Sequence, residues 1–93
     1  MKNKIFKKIF ELTNDGYEVL ISVYANRVII RVAERDHFGF VAAQELSRDE
    51  IFYIKEQEVF VIKILEKLVD EIAYRRKEQF ENLHNRLQKE EKL

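Results

Sequence analysis

Three arginines, Arg27, Arg31 and Arg35, recur at four-residue steps and run into Asp36-His37. In an extended segment they share one face with Ile29 and Ala33, opposite Val28, Ile30 and Val32. Guanidiniums beside Tyr24, with Phe38 or Phe40 on a neighbouring strand, are what a single-stranded nucleic-acid platform uses, by neutralising phosphates and stacking bases. The same residues equally suit the wet face of a sheet, where an arginine stem covers an apolar neighbour. Asp36-His37 has the composition of an oriented general base. However, the hydroxyls besides tyrosine are Thr13, Ser22 and Ser47, none in a nucleophile motif, and Asp and His are common in turns. No residue is assigned to catalysis.

Glu81 and His84 stand three residues apart, the spacing that puts a carboxylate and an imidazole on one helix face in di-iron bundles. Such a centre needs further inward carboxylates and a second copy of the motif. The sequence places no such set, so a solvated helix face, no metal and no cofactor are expected. A third group, Asp49, Glu50, Glu56, Glu58, Glu66, Asp70 and Glu71, offers a basic partner an acidic surface; it also reads as the wet side of a helix.

Seventeen basic and seventeen acidic side chains cancel, but unevenly: residues 1–14 carry a net +3, 15–46 a net −2, 47–74 a net −3 and 75–93 a net +2. A dedicated DNA-binding domain is usually more basic overall. With no cysteine, disulfides and thiolate metal sites are excluded. The basic N-terminus lacks the apolar stretch of a signal peptide, and lysines and glutamates interrupt every candidate span, so a cytoplasmic protein is expected.

These residues must be positioned by elements legible in the pattern. Ile5, Phe6, Ile9, Phe10 and Leu12 lie along one side of a helix over residues 1–16, which Asn14-Asp15-Gly16 ends. The period then falls to two. Tyr17, Val19, Ile21 and Val23 alternate with Glu18, Leu20, Ser22 and Tyr24, a turn falls at Ala25-Asn26, and Val28, Ile30 and Val32 follow. A second turn at Asp36-His37 leads to a third strand over residues 38–44, so residues 17–46 form an antiparallel meander. Ser47-Arg48-Asp49-Glu50 is a capping box. Beyond it no Gly or Pro stops a helix to residue 93, although residues 59–65 are β-rich and a fourth strand there remains an alternative.

A helix over residues 48–91 is about 66 Å long, more than twice the width of so small a core. One seam along it, Ile62, Leu65, Val69, Ile72, Arg76, Phe80, Leu83 and Leu87, advances by threes and fours with a stutter at Arg76. Either the helix folds back from about residue 75, or its tail protrudes and pairs with another chain.

The opening, Ile5-Phe6-Lys7-Lys8-Ile9-Phe10, then Asn14-Asp15-Gly16-Tyr17, then Val28-Ile29-Ile30-Arg31-Val32 and Phe38-Gly39-Phe40-Val41, resembles the helix-then-meander plan of some small phage and prophage accessory proteins, including certain type II anti-CRISPR inhibitors. The resemblance is architectural, covers less than half the chain and supplies no functional residue; it implies an accessory protein that acts by binding a protein partner.

The sequence thus predicts an α+β domain over residues 1–93, with an N-terminal helix, a three-stranded antiparallel meander and a long C-terminal helix. The expected role is non-enzymatic interaction with an unidentified protein partner and with a second copy of itself, as a homodimer or higher oligomer through Ile62, Leu65, Val69, Ile72, Phe80, Leu83 and Leu87. The alternative is nucleic-acid binding through Tyr24, Arg27, Arg31 and Arg35.

Overall fold

In the computed structural model, which describes residues 4–35 and 39–91, Gly16 stops the first helix by adopting a φ of 98°, a left-handed conformation open to a residue without a Cβ. That helix, α1, spans Lys4–Asn14, and the Asp15 amide donates to the Glu11 carbonyl as the last turn closes. Strands β1 (Tyr17–Val23), β2 (Arg27–Glu34) and β3 (Val41–Ser47) follow, then a short α2 (Arg48–Phe52) and a 35-residue α3 (Gln57–Glu91). The sheet is an antiparallel meander in the order β1-β2-β3. Ile30 pairs with Ile21 on one side and Gln44 on the other, and Val32 with Val19 and Ala42.

One face of this sheet is covered and the other is open. α3 packs over β2 and β3, while α1 lies on β1 and against α3. Between them Leu12, Ile30, Val32, Ala42, Leu46, Ile64, Leu65, Leu68 and Ile72 form the core. Val28 is half-buried on the same side, whereas Arg27, Arg31 and Arg35 are exposed. The period-two alternation requires this register: a slip by one residue would send the arginines inward.

Two elements differ from the sequence reading. The helix after Ser47 is not continuous. Its capping box forms, with Ser47 Oγ accepting from the Glu50 amide at 3.1 Å, but α2 ends at Tyr53 and the chain runs irregularly to Glu56. No Gly or Pro forces this break. With this break Ile51 packs on the core, and α3 starts afresh and lies on β2 and β3. The Gln57 side-chain amide donates to the Ile51 carbonyl at 3.2 Å, which also accepts from the Ile54 amide at 3.3 Å, so the first residue of α3 is tied to the end of α2.

The third strand also begins at Val41 and not at 38. Gly39 sits at φ 66° and the Phe40 carbonyl accepts from the Glu34 amide at 2.9 Å, so these residues close the connection instead of extending the ladder. The expected turn at Asp36-His37, and Phe38, lie outside the described residues. Residues 59–65, left open between helix and strand, are helical, with Ile64 and Leu65 buried against the sheet. Among the described residues no helix is long and apolar enough to cross a membrane.

Candidate interaction surfaces

The alternating face of β2 does not end in an apolar residue. Glu34 follows Val28, Ile30 and Val32 inward, and its side chain is only 2% exposed. It forms an ion pair with Arg76 of α3, and its Oε2 lies 3.4 Å from the Phe40 amide, which donates to it. Arg76 is the position at which the heptad-like seam stuttered. The guanidinium thus arrives where α3 leaves the sheet, opposite the one carboxylate on the buried stripe. Both residues are visible in the sequence as charges on otherwise apolar stripes; that they meet is a fact of the tertiary structure.

The pair divides the seam in two. Leu65 and Ile72 are fully buried in the chain's own core, and Ile62 and Val69 are half-buried on the same helix. Of these residues of the expected oligomer seam, Leu65, Val69 and Ile72 pack within the protomer's own core, where they help hold α3 on the sheet. Past Arg76 every described side chain through Lys89 is exposed. Phe80, Leu83 and Leu87 retain 65%, 40% and 54% of their accessible surface. At 3.6 residues per turn they continue the face that lies on the sheet, now with none of the described residues beneath it. The tail does not fold back after Tyr74; the molecule is 59 Å long and 26 by 19 Å across.

Arginine positions on the open sheet face are largely spoken for. Arg27 lies 3.3 Å from Glu45 and stacks on the Tyr24 ring at 4.9 Å. Arg35 donates to the Thr13 carbonyl, tying the end of β2 to the last turn of α1. Only Arg31 of the three makes no hydrogen bond or ion pair among the described residues, and its cross-strand neighbours are Leu20 and Ala43. Phe40, expected as a stacking ring, packs instead against the core. The open face therefore offers one free guanidinium amid Leu20, Ile29 and Val41, with Glu18 and Glu45 beside it.

The remaining chemistry-bearing residues are similarly placed. His84 is exposed, with its Nε2 3.1 Å from the Gln88 side-chain amide, and no three metal-binding side chains gather among the described residues. Of the acids, Glu66 pairs with Lys8, Glu71 with Arg75, and Glu50 completes the cap of α2.

One surface was missed in the sequence. Phe6 and Phe10, grouped there with Ile5, Ile9 and Leu12, are 61% and 65% exposed. The apolar arc of α1 is too wide to be buried on one side, and its width was the available signal. On β1, Val23 is 75% exposed and Leu20 53%. Comparison with protein-family models, curated proteins and solved structures finds no match.

Proposed function

We propose that this chain is a small non-enzymatic interaction module that engages a protein partner through the free end of α3. The observation that carries this reading is the continuation of the core-facing side of α3, beyond the Glu34–Arg76 pair, as the exposed Phe80, Leu83 and Leu87, uncovered by any other element among the described residues. Steps of three and four residues are how an amphipathic helix presents anchors to an apolar groove. Leaving three such side chains in water forgoes about 1.5–3 kcal/mol each, which a partner's groove recovers. The seam beyond Arg76 covers barely two heptads, less than the three or four that mark a self-sufficient coiled coil, so a pre-formed groove suits it better than an identical bare helix. The role is of the accessory or inhibitor kind that the helix-then-meander opening resembles. Nucleic-acid binding through Arg27, Arg31 and Arg35 is less favoured, because two of the three guanidiniums already have intramolecular partners.

The test is photo-crosslinking in the native host from position 83. A discrete protein adduct is expected, insensitive to nuclease and lost when Phe80→Asp is added. Unchanged capture by Phe80→Asp would remove the tail from the interface. Salt-sensitive binding of single-stranded RNA or DNA, lost in Arg31→Ala, would establish the alternative.

A further inference from the structure

β1 is an edge strand whose outer side meets no other strand among the described residues. The direction of its free backbone groups follows from the two ends of its ladder. The Tyr24 amide donates to Arg27 at one end, and the Arg35 amide donates to Gly16 at the other. Antiparallel bonding alternates, so Glu18, Leu20 and Ser22 face β2 while Tyr17, Val19, Ile21 and Val23 turn N–H and C=O outward. Natural edges of this kind are commonly blunted by lysine, proline or a bulge. This edge has none of these and one charge, Glu18. The opposite edge, β3, is partly occupied: the Arg75 guanidinium donates to the Val41 carbonyl at 2.8 Å.

We infer that β1 pairs antiparallel with β1 of a second copy, giving a homodimer with one continuous six-stranded sheet. The strand is complementary to itself about Leu20. A two-fold axis there sets Tyr17 against the partner's Val23 and Val19 against the partner's Ile21. All four outward residues then bond, with about eight inter-chain backbone hydrogen bonds. Leu20 faces its own copy at a non-hydrogen-bonded position, where side chains approach most closely, and Glu18 falls opposite Ser22 instead of another acid.

α1 supports the same axis independently. Lys8 reaches across to Glu66 of α3 at 3.7 Å, which fixes the side of α1 that faces α3. Phe6 and Phe10 stand two residues to either side of Lys8, and at about 100° per residue both turn nearly opposite it, towards the free edge of β1. Leu20 lies about 10 Å along β1 from Tyr17, and Lys8 about 9 Å back along α1 from Asn14, so the axis beside Leu20 meets α1 level with Lys8, on the helix's Phe6–Phe10 side. Phe6 of each α1 then comes beside Phe10 of the other. Two phenylalanines with most of their surface, together with Leu20 and Val23, remove on the order of 500 Å² per protomer, close to the ~1,000 Å² total of a specific interface. The dimer leaves both α3 tails projecting, so it stands or falls separately from the proposed use of the tail.

Light scattering of the full chain at micromolar concentration tests it. The expected mass is twice 11.3 kDa. Leu20→Glu, on the exposed sheet face, should keep its cooperative melt and halve the mass, because two new carboxylates meet at the axis beside Glu18. An equal mixture of Leu20→Glu and Leu20→Lys should restore the dimer mass. Since the chain has no cysteine, Leu20→Cys should also oxidise to a covalent dimer. A monomeric full chain, a dimer unaffected by Leu20→Glu, a mixture that stays monomeric, or a dimer lost on truncation after Lys77 would each overturn the inference.

Discussion

The two halves of α3 share one helix and one apolar face, yet only the first half has anything to pack on. From Val61 to Ile72 that face meets β2 and β3; from Phe80 to Leu87 the same face is bare. An ion pair between the buried Glu34 and the half-exposed Arg76 marks the boundary. The difference teaches that a seam read from spacing is a statement about direction, not about burial. Direction is set by the helical repeat, while burial depends on how far the sheet extends beneath.

The sharpest way to break this contrast is to put the same charge on both halves. Leu65→Asp, placing a carboxylate at a site with no accessible surface, should abolish cooperative unfolding, whereas Leu83→Asp should leave a wild-type circular-dichroism melt. Equal damage from both would mean that the tail is part of the folding core.

Next in size is the boundary itself. Arg76→Ala leaves the buried Glu34 carboxylate without its half-exposed cation, with water able to enter from the Arg76 side, and should cost about 2 kcal/mol in urea denaturation. Glu34→Leu combined with Arg76→Met should recover most of that loss, since hydrophobic replacement of a buried pair is often neutral or stabilising. A double variant as unstable as Arg76→Ala would show that the pair also fixes the path of α3.

A smaller effect sharpens the description of how α3 is delivered to the sheet. Ser47→Ala removes the cap of α2 and should lower stability by about 1 kcal/mol without changing the denaturant slope. The smallest expected effect is from truncation after Lys77, which deletes only exposed side chains among the described residues and should shift stability by no more than about 0.5 kcal/mol.

Much of the fold was legible because its signals are local. The turn chemistry of Asn14-Asp15-Gly16 and the period-two run of β1 and β2 each depend on residues a few positions apart, and they yield the right elements with the core side of β2 correctly chosen. The boundaries of β3 were not legible, because Gly39 and Phe40 serve the connection back to Glu34, a partner six residues away. The candidate surfaces were half legible. Phe80, Leu83 and Leu87 were visible as a seam, but the seam gave no sign that Leu65 and Ile72 would be claimed by the chain's own sheet. Phe6 and Phe10 were grouped on one helix face with Ile5, Ile9 and Leu12, because spacing cannot tell how much of a wide arc a neighbour will cover.

By itself, then, the sequence determined the order and type of the main elements, the side of β2 that turns inward and the excess length of the last helix, since periodicity, caps and turn residues act over a few peptide units. Tertiary structure alone decided that the helix after Ser47 breaks at Tyr53, that Glu34 meets Arg76, that Arg27 and Arg35 are engaged within the chain, and that the edge of β1 and the end of α3 remain uncovered. Each of those outcomes depends on what lies across a gap between segments distant in the chain. That distance is set by how helices and sheet fit together, which no local pattern encodes.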